Sequence, residues 1–541
     1  MTGTGAVNTS GPNANLDSLL SGRDIKWYKG RQALLTLMIG LVLLTSMTNG
    51  YDGSMMNGLQ TVENWQIYFN RPTGSLLGIF NACQSIGGIA GLPFSAYVAD
   101  KFGRRAAIFF GSCIMLAGVA IQTAAQSIGM FIGARTLIGF GLTFACTAAP
   151  LLITELAFPT YRGPLTSLYN SSWYLGSIVA AWATYGTFRI NNTWSWRIPS
   201  LLQGLPSMIQ VILIFMIPES PRWNINNGKE QRAMDFFVKW HCAGDASDPL
   251  AKYEFDECKA AIELEKEASQ SSTWLSLFKG RGNLKRMRII IAIAFFSQWS
   301  GNGLVSYYLN SVLISVGVAK AETRTLINGI LQLTNYATAI FGAMMVDRLG
   351  RRFLFLASTI GMTVFFTLCT ACAGVYNTSS VVSVTEDGTT LHSATGAGRA
   401  FIAFIFIYYA FYNLAMSPLL VAYTVEILPF RIRAKGLVIM NLAVNITLVF
   451  NQYVNPVALG AIEWKYYIVY CVFLLFEVVF IYFYLVETFR QPSLEAIAAI
   501  FDGDEKVEQL HDRTVEELAH DPSYDEKKQG DVDHLEHKNL A

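Results

Sequence analysis

The sequence predicts an all-α membrane protein whose twelve transmembrane helices form two six-helix pseudo-repeat halves. Three observations carry that prediction: long apolar runs almost free of charge, Lys and Arg gathered at every second connection, and one charge motif that occurs twice in the same order. Across 541 residues the hydrophobic class reaches 52% and the charged class only 15%, with mean hydropathy +0.35. A soluble chain of this length would divide into several domains. Here the charges sit in short stretches, and the runs between them approach the ~20 apolar residues that cross a hydrocarbon core.

Residues 1–31 are polar and lack the early apolar core of a signal peptide, so they are expected to form a disordered N-terminal tail. Apolar runs then follow at 33–52, 74–98, 106–125, 129–152, 165–188 and 198–217, which make the first half, 32–217. A polar linker, 218–286, carries eleven Lys/Arg and periodic charged stretches such as Lys252–Lys266, the pattern of surface helices. The second half, 287–486, contains runs at 287–312, 324–346, 353–375, 398–424, 436–460 and 465–486. Residues 487–541 form a charged tail too poor in apolar surface to pack alone.

Basic residues set the orientation. Lys101, Arg104 and Arg105 follow span 2, Arg162 follows span 4, and the basic linker follows span 6; Arg351 and Arg352 follow span 8, and Arg431, Arg433 and Lys435 follow span 10. The positive-inside rule puts these connections and both termini in the cytoplasm. The sequons at Asn191 and Asn377 then fall outside, where glycosylation reaches them.

The repeat is explicit. Ala99-Asp100-Lys101-Phe102-Gly103-Arg104-Arg105 returns as Val346-Asp347-Arg348-Leu349-Gly350-Arg351-Arg352. Glu155 precedes Arg162 as Glu426 precedes Arg433, and Pro-Glu-Ser at 218–220 matches Val-Glu-Thr at 486–488. Parallel six-helix repeats are how one large class of transporters builds a central cavity between its halves. Asp100, Arg104, Arg105, Glu155 and Arg162 are expected to form one ionic cluster, and Asp347, Arg351, Arg352, Glu426 and Arg433 another. Each would act as a cytoplasmic gate, closed when the cavity faces outward and broken on inward opening. An enzyme is excluded as a class: there is no nucleophile–base constellation, Walker motif or metal-ligand spacing. No cofactor is implied, and a net charge of +1 gives no field suited to nucleic acid.

These residues resemble the sugar porter family of the major facilitator superfamily, over about Gln32 to Ile500. The resemblance rests on Gly50-Tyr51-Asp52-Gly53, the two Asp…Gly-Arg-Arg turns, Gly133-Ala134-Arg135, Pro218-Glu219-Ser220-Pro221-Arg222-Trp223 and Val486-Glu487-Thr488-Phe489-Arg490. Span 7, Ser297-Gln298-Trp299-Ser300-Gly301-Asn302-Gly303-Leu304-Val305-Ser306-Tyr307-Tyr308, looks like the fungal lactose permease-like branch, which includes disaccharide and hexose transporters. The resemblance implies the major facilitator fold, a plasma-membrane location and a sugar as substrate. It also implies sugar contacts from amides on spans 5, 7, 8 and 11 and an aromatic on span 10. Carried over, these become Asn170, Gln298, Asn302, Asn335 and Asn445, with Tyr423 near the aromatic position, where Val421 stands. Amides both donate and accept, which suits hydroxyl-rich sugars. Ser297 and Gly303 replace larger family residues, so a roomier cavity is expected, one that suits a disaccharide such as lactose or cellobiose as well as a hexose.

Asp52 and Arg135 are charges inside spans, where each costs ~2.5–3.5 kcal/mol on insertion scales unless paired or wet. Spans 1 and 4 adjoin in this fold, so the two are expected to pair. If the pair breaks as the helices rock, the aspartate loses its counter-charge and takes a proton, which is a symport mechanism. A static ion pair, a facilitative hexose uniporter and a non-transporting sugar sensor are the alternatives that these residues leave open.

Overall fold

A computed structural model of the protein describes residues 19–20, 27–271, 273–384, 390–488 and 501. Most of the two predicted tails and the side chain of Asp347 lie outside the described residues. All twelve expected spans are helical. The first six are α1 (Gly30–Leu59), α2 (Gly74–Phe102), α3 (Arg104–Thr123), α4 (Ile128–Leu156), α5 (Arg162–Thr187) and α6 (Trp194–Met216). The second six are α7 (Arg281–Ser315), α8 (Ala321–Leu349), α9 (Arg351–Thr378), α10 (Thr395–Ile427), α11 (Phe430–Ile462) and α12 (Tyr466–Tyr484). By length and hydropathy alone there are ten candidate spans among the described residues. One of these, Lys435–Tyr484, holds both α11 and α12, and α5 falls short because Thr, Ser and Asn interrupt its apolar surface.

Two spans are broken. α6 bends at Gln203–Gly204, and α7 divides into Arg281–Trp299 and Asn302–Ser315 around Gly301. Gly301 takes φ +99°, a left-handed conformation that glycine adopts at no steric cost. An all-α chain was expected, and one addition appears: Val381–Val384 and Thr390–His392 pair as a short antiparallel ribbon between α9 and α10.

Small residues let the helices of a half approach backbone to backbone, the usual way helices associate in lipid. α1 lies against α5 at Gly50 and Gly176: a Cβ on Gly50 would overlap the Trp173 carbonyl, and one on Gly176 the Met47 carbonyl. α2 and α4 meet in the same reciprocal way at Gly87 and Gly139. Between the halves, α2 packs on α11, α5 on α8, and α1 on the second part of α7.

The linker does form helices, Pro221–Asn226, Glu230–Phe236 and Pro249–Ser271. They are docked rather than merely superficial. Ala233, Phe236, Phe237 and Trp240 share a core with Leu35 and Ile39 of α1 and Leu152, Ile153 and Leu156 of α4. His241 is buried there, with Nδ1 2.6 Å from Glu254 and Nε2 3.2 Å from the Leu156 carbonyl.

The reciprocal glycine contacts lead to a direct expectation. Gly50→Ala and Gly139→Ala each force two helix backbones apart and destabilise the protein by about 1–3 kcal/mol or more. Gly133→Ala, where nothing lies within 4 Å of a new Cβ, leaves it unchanged. Melting of the detergent-purified protein separates the two outcomes, and equal melting temperatures for all three variants would refute the packing argument.

Candidate functional site

The broken helix α7 is the natural place to begin, because a break inside a membrane frees carbonyls that must find new donors. Side chains of α7 itself, α10 and α11 supply them. The Ser297 carbonyl accepts from Asn302 Nδ2 (3.1 Å) and the Tyr412 hydroxyl (2.7 Å). The Gln298 carbonyl accepts from Asn451 Nδ2 (2.6 Å), the Ser300 carbonyl from the Tyr408 hydroxyl (2.8 Å), and the Asn302 carbonyl from the Tyr409 hydroxyl (2.8 Å). The break is therefore a fixed, amide- and tyrosine-lined feature of the second half.

Around it stand neutral polar groups from both halves. Gln298 is half-buried, with Nε2 donating to Ser297 Oγ (3.1 Å). Asn302 is buried and donates to the Tyr412 hydroxyl (2.9 Å). Asn335 on α8 is buried, and its Oδ1 accepts from Asn413 Nδ2 of α10 (3.3 Å), while Asn413 Oδ1 accepts from the Tyr174 hydroxyl of α5 (2.5 Å). This last bond crosses between the halves. Asn170 is exposed on α5, and Asn445, partly exposed on α11, donates to the Asn441 carbonyl within its own helix (2.8 Å). Tyr423 does not join them. It is fully buried, and its hydroxyl donates to the Val486 carbonyl (2.8 Å) and accepts from the Val486 N–H (3.1 Å), so it ties α10 to the end of α12.

Space above Gly303 is filled. A Cβ at that position would overlap the Asn451 amide, so the small residue expected to enlarge the cavity instead admits a side chain from α11. Asn451, Asn413, Asn328 and Gln332 escaped the sequence reading. Their signal was available: Asn328, Gln332 and Asn335 recur at the spacing of one helical face of α8, and amides inside membrane spans are costly unless they have partners.

Asp52 and Arg135 do meet. Arg135 Nη1 donates to Asp52 Oδ1 at 3.1 Å, with both side chains buried. Gln203, at the bend of α6, donates to the same oxygen (2.7 Å), and Arg135 Nη2 donates to Gln84 Oε1 of α2 (3.0 Å). Asp52 Oδ2 has no hydrogen-bond partner among the described residues. A single polar knot thus joins α1, α2, α4 and α6.

The repeated charges lie at one face of the bundle, the basic face, and they brace each half separately. Glu219 accepts from the N–H groups of Arg104 (3.1 Å) and Arg105 (3.3 Å) at the start of α3. Glu487 accepts from those of Arg351 (2.9 Å) and Arg352 (3.0 Å) at the start of α9. A carboxylate at a helix N-terminus satisfies orphan donors and complements the helix dipole. Arg104 pairs with Glu155 (3.2 Å) and Arg351 with Glu426 (3.0 Å). Asp100 is peripheral, exposed and 3.5 Å from Arg104. Arg162 does not reach Glu155: it donates to the Ala157 carbonyl (3.3 Å) and pairs with Glu254 of the linker (3.4 Å). Arg433 donates to the Leu428 carbonyl (3.3 Å) in the matching place. These contacts join helices of the same half, or a half to the linker. The described hydrogen bonds between the halves lie near the midplane and the opposite face, among them Ser85 to Gln452 (3.0 Å), Asn57 to Asn328 (3.3 Å), Asn310 to the Gln60 carbonyl (2.9 Å), Gln60 to the Tyr307 carbonyl (2.8 Å) and Thr325 to Thr61 (3.0 Å), and an exposed ion pair, Arg189–Glu322, joins the halves as well.

Of the two sequons, Asn191 is exposed in the connection before α6. Asn377 lies in the last turn of α9, its amide donating to the Ser315 (3.2 Å) and Ala373 (2.8 Å) carbonyls, so it is not presented for glycosylation.

Comparison with known proteins adds to this geometry. Residues 38–501 match the family model described as "Sugar (and other) transporter". The chain is 26% identical to the MFS-type transporter criB of Aspergillus cristatus, over 89% of this chain and 96% of that protein. It is 27% identical to a low-affinity glucose transporter of Kluyveromyces lactis (85% and 78%) and 28% identical to the H(+)/hexose cotransporter 2 of Parachlorella kessleri (79% and 75%). Among solved structures, the inward-open xylose transporter XylE of E. coli superposes with a TM-score of 0.70, at 21% identity, over 86% of this chain and all of that one.

Removing the helix-capping carboxylates separates a structural from a peripheral charge. Glu219→Ala and Glu487→Ala each leave two N–H groups unsatisfied and cost about 1–2 kcal/mol, whereas Asp100→Ala costs almost nothing. A purified-protein melting series checks this, and the prediction fails if Asp100→Ala is as damaging as the other two.

Proposed function

The chain belongs to the sugar transporter family of the major facilitator superfamily, and from that premise we propose that it carries a hexose across the plasma membrane by alternating access, in symport with a proton. Both termini face the cytoplasm in this reading, on the side of the basic face. One observation carries the substrate class: the polar side chains bonded at the broken helix and between α8 and α10, Gln298, Asn302, Asn335 and Asn413, are all neutral amides. Such groups match the paired donor and acceptor character of sugar hydroxyls and offer nothing to an ionic substrate. Gln298 is the principal ligand, Asn302 and Asn335 its neighbours, and Asn170 and Asn445 approach from the more open side. A hexose is preferred to a disaccharide because the space that Gly303 leaves is taken by Asn451, so the small residue does not enlarge the site. The glucose and hexose transporters among its relatives support the same choice.

Proton coupling rests on the buried Asp52–Arg135 pair. Asp52 Oδ2 has no partner among the described residues and can receive a proton without displacing another hydrogen bond, and Arg135 keeps Gln84 as an alternative acceptor when the pair loosens. The rocking halves would part at the hydrogen bonds described between them and close on the basic face.

Two measurements test this reading. In a hexose-transporter-null host the wild-type chain accumulates labelled hexose above the external level, and a protonophore reduces accumulation to equilibration. Asp52→Asn only equilibrates sugar but retains sugar–sugar exchange; full accumulation by that variant removes Asp52 from the coupling step. In the same host Gln298→Ala raises KM by roughly tenfold, corresponding to about 1.4 kcal/mol for a lost polar contact, and an unchanged KM would show that Gln298 does not contact the sugar.

A further inference from the structure

We propose that Asn451 and Gly303 form a matched pair in which Asn451, a positioning residue, fixes the break in α7 and so sets where the Gln298 amide stands and how large a sugar it admits. The inference rests on the sugar reading above and deepens it. Asn451 lies on α11 and is 1% exposed, so it acts through Gln298 rather than by touching substrate. In an unbroken helix the Gln298 carbonyl would accept from the N–H four residues on, that of Asn302. The break at Ser300–Gly301 interrupts that ladder, and Asn451 Nδ2 takes over at 2.6 Å. The residue that bears the principal sugar amide is thereby held through its own main chain.

Asn451 is itself fixed. Its Oδ1 accepts from Asn455 Nδ2 (2.6 Å), and Asn455 Oδ1 accepts from the hydroxyls of Tyr470 (2.5 Å) and Tyr466 (3.0 Å) of α12. The next residue, Gln452, accepts from Ser85 of the other half at its side chain and from Tyr308, in the second part of α7, at its carbonyl. This one step of α11 therefore contacts both parts of the broken helix and the opposite half. Gly303 is its steric counterpart. A Cβ there would overlap the Asn451 amide, so any side chain at 303 displaces Asn451 from the Gln298 carbonyl. The two positions share one volume, and only one of them can fill it.

The side chain of Gln298 has a weak tether of its own, an Nε2 bond to the adjacent Ser297 hydroxyl. Its direction is consequently governed by the main chain that Asn451 holds. Loss of Asn451 frees that main chain and opens space beside the site, which changes both affinity and the size of sugar accepted.

The test is a double-mutant cycle in the full-length chain: Asn451→Gly, Gly303→Asn and the two together. Hexose uptake in the null host gives KM, and Vmax is normalised to surface abundance. Each single substitution raises KM about fivefold or more with Vmax per transporter nearly unchanged, the pattern of lost binding. Asn451→Gly also raises the uptake of disaccharide relative to hexose. The double variant returns KM to within about threefold of wild type, the non-additivity of residues that share one space. Singles that lower abundance but leave KM and the disaccharide-to-hexose ratio unaltered would overturn the proposal, as would additive effects in the double variant. Melting temperatures of the purified proteins read the pair independently of transport: non-additive melting supports it and additive melting refutes it. A wild-type chain that takes up no hexose would defeat the sugar reading alone, leaving the melting cycle to judge the pair.

Discussion

Hydrogen-bond satisfaction in a medium without water is the constraint on which this structure depends. Each unpaired backbone group in lipid costs several kcal/mol, so a chain can interrupt a transmembrane helix only where it brings replacement donors to the break. The replacements here are specific. Tyr408, Tyr409 and Tyr412 are neighbours on α10, and their hydroxyls take the carbonyls of Ser300, Asn302 and Ser297 in turn, while Asn451 takes that of Gln298. The cost of the break is thus met by neutral groups, and a cluster of donors and acceptors is left beside it. Tyr408, Tyr409 and Asn451 are themselves buried, so they act as the support behind the break.

At the helix ends the constraint takes a charged form. The duplicated Gly-Arg-Arg motif reads in sequence as a pair of basic turns. In three dimensions its most consistent feature is the acidic partner that arrives from far along the chain: Glu219 on the start of α3 and Glu487 on the start of α9. Gly103 and Gly350 have positive φ, and at each a Cβ would crowd the capping carboxylate. The motif therefore encodes a helix–helix corner as much as a charge pattern. Because each corner is closed by the segment that directly follows the last span of its own half, the ionic clusters make the halves stiff units. That is the property a rocking mechanism needs at least as much as it needs a gate.

Legibility in the sequence followed the range of the interaction. Spans were legible because hydropathy is local and lipid enforces it; even α5, whose polar residues dilute its hydropathy, reads as an apolar run at 165–188. The Asp52–Arg135 pair was legible because two isolated charges in apolar helices have few places to go. Tyr423 was misjudged since its helical position is near the cavity but its direction is not: Val486, more than sixty residues away, captures the hydroxyl. Arg162 was assigned to Glu155 on motif spacing, whereas the linker brings Glu254 to it. Asn377 carried a sequon, but a helical turn had already engaged its amide. Gly303 illustrates the deepest limit. A missing side chain reads as empty space, and only the fold reveals that Asn451 fills it from another helix.

The distribution of bond types sets how the molecule can move. Within each half, the pairs Asp52–Arg135, Arg104–Glu155 and Arg351–Glu426 are buried or half-buried, and separating one partner strands the other at a cost of several kcal/mol. Between the halves, the buried side-chain bonds of the midplane and far face join Asn, Gln, Ser, Thr and Tyr, and the described ion pair there, Arg189–Glu322, is exposed, where such a pair contributes little. Exchanging a neutral hydrogen bond for water costs only about 0.5–1.5 kcal/mol, and water enters as those surfaces part. Breaking several such bonds together costs far less than breaking the ionic corners. The chain therefore concentrates expensive interactions where shape must persist and inexpensive ones where it must change. Asn413 stands on that boundary, with an α8 amide on one side and the Tyr174 hydroxyl of the opposite half on the other. Its two ends therefore differ in what motion asks of them: the Nδ2 bond to Asn335 stays within the second half, and only the Oδ1 bond from Tyr174 must open when the halves part.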